Sequence, residues 1–177
     1  NHYVRTLNDP QEKKLLENKA VFLKHFSDVS GRSWFDLENQ DFESFEIFFK
    51  EQKKIVAKPK EGVCGRGIEF FEYDGNNARS VYDHMIESGQ LLAEELLIQH
   101  DELAKIHPYS VNTIRVMSIQ INGKVVIPYA SLRTGNGKGV DKVINGGFVG
   151  RIDIDTGRIY TDGIGKYGMQ TEKHPLT

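Results

Sequence analysis

The dipeptide Asn122-Gly123 separates two segments in the last third of the chain, and both have the character of β-strands. The segment before it, residues 113–121, reads TIRVMSIQI, and the segment after it, residues 124–133, reads KVVIPYASLR. Asn-Gly favours the two-residue turn whose central residues both have positive φ, and that turn matches the twist of antiparallel strands. The pattern therefore predicts a long β-hairpin, which excludes an all-helical fold.

Helical patterns dominate the first half of the chain. Residues 8–31 predict one helix, with Asp9 suited to the N-cap and apolar residues at roughly helical spacing. Residues 41–52 predict a second helix, capped by Asp41 and carrying phenylalanines on one face. Residues 78–89 predict a third helix that ends in glycine, the residue most common just past a helix C-terminus.

Strand patterns occur between and after these helices. Residues 54–58 and 67–73 predict two strands around a glycine-rich loop, and residues 147–161 predict a strand, a turn and a second strand. The segment 91–99, LLAEELLIQ, has helical propensity but is short, so its local sequence leaves it ambiguous. Because helices and hairpins are mixed rather than strictly alternating, the chain is predicted to be α+β rather than a doubly wound parallel sheet.

Charge and composition limit the classes of partner. The chain has 177 residues, a net charge of −2 and no basic stripe, so no nucleic-acid partner is expected. No apolar run approaches the ~20 residues needed to cross a bilayer, so no membrane span is expected. The single cysteine, Cys64, cannot form an internal disulfide, which favours a reducing, cytoplasmic compartment. The chain begins with Asn and stops at EKHPLT, so we expect a piece of a longer protein, cut at both ends.

The stretch KPKEGVCGRG, residues 58–67, is either an anion-binding loop or an ordinary turn. Consecutive backbone N–H groups in a glycine-rich turn can bind an anion, and Lys58 and Arg66 would add positive charge at its edges. The stretch lacks the Gly-Lys-Ser/Thr ending of a P-loop, so the loop taken by itself favours an ordinary hairpin turn. Cys64 has no local histidine to activate it, and a nucleophilic role is not expected.

Three further groups of polar residues have two interpretations each. Glu94 and Glu95 form either a solvated edge or a hinge segment that holds adenine and ribose. Arg115 and Arg133, on the two hairpin strands, form either surface ion pairs or contacts to a phosphate. Asn112 and Arg115 can serve one site only if Asn112 lies before the strand, because positions an odd number apart face opposite sides.

The motif IDIDTGRI contains Asp153 and Asp155, which a strand would place on one face. Two carboxylates make an incomplete site for Mg²⁺ or Ca²⁺. We therefore interpret Asp153 as part of an Asp-Thr-Gly turn rather than as a metal ligand.

Five stretches, taken in order, resemble the ATP-grasp superfamily and most closely its sugar-transfer-associated branch, which is related to glutamate-ligase-like enzymes of polysaccharide biosynthesis. They are LLENKAVFLKHF, IVAKPKEGVCGRGI, LLAEELLIQHDELAKIHPYSVNTIRV, ASLRTG and NGGFVGRIDIDTGRI…EKHP. The resemblance implies two α+β lobes with mainly antiparallel sheets, approximately residues 1–93 and 94–177, and a nucleotide cleft between them. It also implies that residues 91–99 form a strand and hinge.

The resemblance implies a role for each matching residue. Lys58 corresponds to the strand lysine that contacts nucleotide phosphates, and Lys19 to an earlier phosphate-binding lysine whose motif here has Asn18 in place of the usual acid. The flexible loop that closes over the phosphates contains Gly62, Gly65, Arg66 and Gly67. The hinge near the adenine and ribose contains Glu94, Glu95, Leu97 and Gln99. The polar residues facing the phosphates or the acceptor are Asn112, Arg115, Arg133 and Asn145, with Arg115 and Arg133 as the catalytic candidates.

By the same resemblance, the whole enzyme would use ATP and Mg²⁺ to join a carboxylate to an amine or hydroxyl, on a small carboxylate or a sugar-linked acceptor. The family's metal ligands follow its His-Pro stretch, which is His174-Pro175 here, so this chain is expected to lack them and to be inactive alone. Two alternatives stay open: a non-catalytic or degenerate nucleotide-binding module, and a scaffold protein in which the loop is only a turn.

Overall fold

The computed structural model describes residues 8–62, 66–136, 143 and 146–175. The chain divides into two compact units, Asn1–Leu96 and Leu97–Thr177. In each unit the strands form one sheet, and every strand pairing in both sheets is antiparallel within the described ranges. The α+β class with mainly antiparallel sheets is therefore confirmed.

The first unit contains helices and a four-stranded sheet. Its helices are α1 (Pro10–Glu17), α2 (Lys19–His25), α3 (Ser27–Ser30), α4 (Phe42–Gln52) and α5 (Ala78–Ser88). Its strands are β1 (Trp34–Asp36), β2 (Lys54–Lys58), β3 (Glu69–Glu72) and β4 (Leu92–Glu95), in the order β1-β4-β2-β3. The ambiguous segment 91–99 thus contains a central strand, β4, because pairing with neighbours on both sides outweighs local helical propensity.

The two faces of this sheet differ in chemistry. One face packs on α4 and α5, and its core includes the fully buried residues Phe45, Phe49, Ile55, Ala57 and Met85. Helix α4 contributes Phe45 and Phe49 to this core and packs Phe42 against it, because positions 42, 45 and 49 recur at helical spacing. The other face is only partly covered by α2, whose Ala20 and Leu23 pack on Leu92 of β4. The charged residues Lys58 and Glu94 lie on that face together with apolar Trp34 and Val56.

The prediction of one continuous helix over residues 8–31 is wrong, because the helix is interrupted at Asn18. Asp9 caps the first helix as expected, but Asn18 has extended backbone angles and divides the segment into α1 and α2. The side chain of Asn18 accepts hydrogen bonds from the backbone N–H groups of Ala20 and Val21, at 3.0 and 3.1 Å. Asn18 is therefore the N-cap of α2, and the cap sets where Lys19 begins the next helix.

Loss of this cap has a measurable cost. We expect Asn18→Ala to lower the free energy of unfolding by about 1 kcal/mol, because two N–H groups at the start of α2 lose their acceptor. Asn18→Asp is the matched control, since aspartate retains the acceptor and should stay near wild type. Urea unfolding followed by circular dichroism measures both, and equal midpoints for Asn18→Ala and wild type would contradict the capping role.

The described residues of the second unit contain one short α-helix and a five-stranded meander. The helix is α6 (Asp101–Ala104), and the strands are β5 (Thr113–Ile121), β6 (Lys124–Thr134), β7 (Phe148–Ile152), β8 (Gly163–Ile164) and β9 (Gln170–Thr171), in that order across the sheet. The predicted hairpin is confirmed: Asn122 and Gly123 join β5 and β6 with φ of 49° and 76°. Both values are positive, as the Asn-Gly turn requires.

The prediction for residues 147–161 is confirmed only in its first half. Strand β7 forms, and Asp153 accepts hydrogen bonds from the N–H and hydroxyl of Thr156 at 2.8 and 2.6 Å, which builds the expected turn. After the turn only a single bridge, Ile152 to Ile159, continues the pairing. The short strands β1, β8 and β9 were not predicted because two or three residues carry no readable periodicity. In the described part of the chain no helix combines the length and hydrophobicity required to traverse a bilayer.

Candidate functional site

The buried carboxylate of Glu94 lies on the face of the first sheet that α2 partly covers. The side chain of Glu94 is 4% exposed, and its two oxygens lie 2.5 Å from Lys58 Nζ and 2.5 Å from Arg32 Nη1. A carboxylate withdrawn from water is costly unless its oxygens are paired, and here each oxygen has its own cation. The three groups therefore depend on one another for their burial.

Strand register brings these groups together. Glu94 is opposite Val56 on β2 and Trp34 on β1, and Lys58 is opposite Leu92. Opposite residues share a face and alternate residues return to it, so Lys58, two residues after Val56, lies on the same face as Glu94. Arg32 reaches this face from the segment that leads into β1. The lysine at the end of β2 is thus held beside a fixed carboxylate and is 16% exposed.

A second ion pair fixes the start of the glycine-rich loop. Lys60 Nζ is 2.5 Å from Asp36 Oδ1 and also contacts the carboxylate of Glu38. Burial alone would lower the pKa of Lys60, but its bonds to Asp36 and Glu38 outweigh burial and raise that pKa. Burial would raise the pKa of Asp36, but hydrogen bonds from Lys60 and Asn39 hold that pKa below its ordinary value. Both partners are therefore charged near neutral pH.

Lys19 holds the backbone of the same loop. Its ammonium donates to the carbonyls of Pro59, Lys60 and Gly62 at 3.2, 3.3 and 3.1 Å. Its backbone N–H also donates to the carbonyl of Lys60 at 2.8 Å. Burial, followed by the charge of Lys58, lowers the pKa of Lys19. Lys19 is near enough to Lys58 for their charges to interact, but its donors are directed at the loop, and its phosphate contact stays a prediction.

The returning side of the loop is tied to the end of α5. Gln90 is 2% exposed, and its amide nitrogen donates to the Gly67 carbonyl at 3.1 Å and to Glu69 at 2.7 Å. Gly67 has φ of +68°, and a Cβ there would lie 3.3 Å from the ring of Pro59, so glycine suits the position. Residues 63–65, which include the predicted Gly65, lie outside the described residues. Gly62 and Arg66, on either side of them, are exposed. Both ends of the loop are thus fixed.

The remaining hinge residues have different surroundings. Glu95 is opposite Ile55 and is half-buried at the end of β4. Leu97 is exposed at the start of the second unit, and the side-chain Oε1 of Gln99 accepts from the backbone N–H of Asn112. The proposed adenine and ribose contacts of Glu94, Glu95, Leu97 and Gln99 stay predictions.

Asn112 organises the segment before β5. It is 3% exposed and precedes the strand, which begins at Thr113, as a shared role with Arg115 requires. Its amide nitrogen donates to the carbonyls of Leu103 and His107 at 2.7 and 3.1 Å. Its amide oxygen accepts from the Gly135 N–H at 3.1 Å. The side-chain nitrogen and oxygen of Asn112 both form hydrogen bonds within the protein, so Asn112 has a structural role here. A phosphate contact from Asn112 stays a prediction.

The two catalytic candidates lie on one face of the second sheet. Arg115 is opposite Ser131, and Arg133, two residues further along β6, is opposite Thr113. Arg115 is exposed and Arg133 is half-buried. Their catalytic roles stay predictions, and the predicted Asn145 lies outside the described residues.

A histidine pair lies near a small cavity of the second unit. His107 is fully buried, its ring contacts Ser110 Oγ at 3.1 Å, and its ring centre lies 5.8 Å from that of His174. Burial, and then the charge of His174, lowers the pKa of His107, so the ring is neutral at pH 7. His174 borders a cavity of about 130 Å³ whose floor includes Leu132 and Phe148. That volume is well below the ~300 Å³ typical of cofactor pockets.

The described residues offer no group of three or more His, Cys, Asp or Glu side chains that could hold a metal ion. Asp153, the carboxylate weighed above as a ligand, uses one oxygen for Thr156. We therefore assign no Mg²⁺ ligand to this part of the chain.

Sequence reasoning missed four residues of the first unit's site: Arg32, Asp36, Lys60 and Gln90. Each acts across the fold, and Arg32 contacts a residue 62 positions away. Only Lys60 had a visible signal, since it lies inside the glycine-rich stretch and adds a third cation to Lys58 and Arg66. The other three look like ordinary surface residues until the strands are paired.

The fold of the chain is similar to that of a solved structure. The crystal structure of D-alanyl-alanine synthetase A from Vibrio cholerae O1 biovar eltor str. N16961 has a similar fold, with a TM-score of 0.50 and 12% sequence identity. The match covers 70% of this chain but 35% of the synthetase, so the chain spans about a third of that protein.

The family is defined by sequence. The profile of the sugar-transfer associated ATP-grasp family matches residues 1–177, and the chain belongs to this family. No curated protein sequence matches the chain. The resemblance found in the ordered motifs is therefore confirmed at the level of family and fold.

Proposed function

We propose that the protein is the ATP-binding part of an ATP-dependent ligase that joins a carboxylate to an amine or a hydroxyl. The observation that carries this proposal is the convergence of three cations beside the glycine loop. Arg32 and Lys58 bind the buried carboxylate of Glu94, and the charges of Lys58, Glu94 and Glu61 all act on Lys19. The cations at the end of β2 are of the kind that binds the phosphates of ATP.

The chemistry follows from what a phosphoryl transfer needs. The γ-phosphate of ATP would pass to the carboxylate substrate, giving ADP and an acyl phosphate, and the amine or hydroxyl would then displace phosphate. Lys58 would stabilise charge on the transferring group, because catalysis of phosphoryl transfer is mostly positioning and charge neutralisation. The loop, anchored by Lys19 and Gln90, would shield the acyl phosphate from water.

The substrate class rests on the family. A sugar-linked acceptor and a place in polysaccharide biosynthesis are proposed because the family is described as sugar-transfer associated. A cytoplasmic setting is proposed because one cysteine in 177 residues suits a reducing compartment. Mg²⁺, when bound with ATP, would neutralise phosphate charge.

The test has two stages on the full-length protein. Thermal unfolding with increasing MgATP should show a rise in Tm that saturates, because a ligand that binds only the folded state stabilises it. ADP release is then measured with panels of carboxylates, amines and sugar-linked acceptors. Saturable MgATP binding with acceptor-dependent ADP release supports the ligase. Binding without release supports a nucleotide-binding module, and an unchanged Tm contradicts both.

A further inference from the structure

Two histidines from separate His-Pro pairs meet in the second unit. His107 precedes Pro108 in the segment after α6, and His174 precedes Pro175 in the segment after β9. Their ring centres lie 5.8 Å apart, and the ring of His174 also lies 6.1 Å from that of Phe148 on β7. The His174 ring therefore packs between a buried histidine and the core of the sheet.

Hydrogen bonds connect both histidines to the end of β6. The ring of His107 contacts Ser110 Oγ through Nδ1 at 3.1 Å, and Ser110 Oγ donates to Asn112 Oδ1 at 3.2 Å. The same amide oxygen accepts from the N–H of Gly135, the residue after β6, at 3.1 Å. The carbonyl of Gly135 lies 2.7 Å from His174 Nε2, which donates to it, since a carbonyl can only accept. Residues 172–174, called the tail below, are thus held at the end of β6.

A proton on His107 is unfavourable in this arrangement. His107 is fully buried, and the ring of His174 lies edge-on to it. An imidazolium that is withdrawn from water loses its hydration, and a second imidazolium at this separation would repel it. Burial first, and then the charge of His174, lowers the pKa of His107. The stability that depends on neutral His107 is therefore full above its ordinary pKa of 6.5 and declines as the pH falls from there toward the lowered pKa.

The surrounding elements do not supply a compensating carboxylate from the described residues. The charged group that acts on His107 among them is His174. On the sheet, the cavity-lining residues of β6 and β7 beside His174 are uncharged, and Arg133 and Arg151 alternate with them and so face the other side. The remaining titratable residues on the adjacent segments are Asp101, Glu102 and Lys105 at α6, Tyr109 with its ring 5.9 Å from that of His107, and the exposed Glu172 and Lys173 of the tail.

We propose that His107 and His174 form an acid-sensitive latch, which holds the tail on the end of β6 at neutral pH and releases it when the pH falls. The closed latch covers His107 with the His174 ring. Movement of the tail away from β6 lets water reach His107 and separates the two rings, so protonation favours the open form. Glu172, Lys173 and His174 also line the small cavity, and their release opens it. The latch goes beyond the ligase proposal and does not depend on it, because neither histidine is assigned to the nucleotide.

The test measures hydrogen exchange of the full-length protein at pH 7.5 and pH 5.5. Protection factors correct for the intrinsic effect of pH, and those of β9 and the tail should be lower at pH 5.5 by up to about 10-fold. An imidazole in water, one pH unit below its ordinary pKa of 6.5, favours the open form by about this factor. The amides of the β5–β6 hairpin serve as the internal reference and should change less. Equal protection factors of the tail at the two pH values would overturn the latch.

The variant that tests the buried ring is His107→Asn. Asparagine does not titrate, and its amide retains a donor for Ser110, so tail protection should be the same at both pH values. The control is His84→Gln, which removes an exposed histidine from the first unit and should keep the pH dependence of wild type.

NMR of the imidazole nitrogens in wild type provides a measurement that requires no variant to fold. Charging of His107 below pH 6.5, in the same pH range as the loss of tail protection, supports the latch. Three results contradict it: His107 that titrates while the tail stays protected, loss of tail protection while His107 is still neutral, and a folded His107→Asn protein with the pH dependence of wild type.

Discussion

Glu94→Ala is expected to lower the free energy of unfolding by about 3 kcal/mol, because it leaves two largely buried cations without their shared partner. Lys58 and Arg32 are 16% and 30% exposed and both bind the Glu94 carboxylate at 2.5 Å. Water can solvate Arg32 in part, so we place the cost at the lower end of the range for broken buried pairs. Urea unfolding of the full-length protein measures the change.

The matched control is Glu72→Ala. Glu72 also pairs with a β2 lysine, Lys54, at 3.1 Å, but both side chains are more than half exposed. An exposed pair of this kind contributes at most about 1 kcal/mol, so the two alanine variants should differ clearly. The triple variant Arg32→Met/Lys58→Met/Glu94→Leu should recover much of the stability, because it removes the buried charges together. A Glu94→Ala protein within 0.5 kcal/mol of wild type, roughly the effect of an ordinary surface change, would contradict the buried-cluster argument.

Lys58→Met is expected to weaken MgATP binding about 100-fold, since it removes a charge-assisted contact to phosphate at the end of β2. The fold should survive because Glu94 keeps its bond to Arg32. Calorimetry on the full-length protein measures affinity. Lys54→Met is the control: it removes an exposed lysine from the other end of the same strand, on the same face, and should bind MgATP like wild type.

A second variant separates a direct contact from an indirect one. Losing Lys58 also leaves part of the Glu94 charge unneutralised, which would itself repel phosphate. Lys58→Met/Glu94→Gln removes that repulsion. If binding stays weak in the double variant, Lys58 contacts the nucleotide. Restoration to wild-type affinity would show that Lys58 only neutralises Glu94, and unchanged affinity in Lys58→Met would end the proposed phosphate role.

Much of the secondary structure could be predicted because its signals are local. Asp41 accepts a hydrogen bond from the Ser44 N–H at 2.9 Å and starts α4, as its position before an apolar helical pattern indicated. Gly89 has φ of +71° at the end of α5, as expected for a helix C-terminus. The break at Asn18 was missed because asparagine is tolerated inside a helix but stabilises a cap more strongly.

The candidate site was only partly predictable. Lys58 and its glycines stand out in the sequence because cations and flexible backbone occur together there. Arg32 and Gln90 do not, because nothing near them in the chain shows which carboxylate or carbonyl they will bind. The contact between His107 and His174 is equally invisible in the sequence, because the two histidines lie in separate motifs far apart in the chain.

The sequence by itself determined most of the longer helices and strands, the hairpin turn at Asn122-Gly123 and, through the ordered motifs, the family, because these depend on spacing and turn chemistry within a few residues. Only the tertiary structure decided that Lys58, Arg32 and Glu94 share one buried cluster and that Arg115 and Arg133 share one sheet face. The physical reason is register: shifting a strand by one residue turns every side chain to the other face, and long-range pairing sets that register.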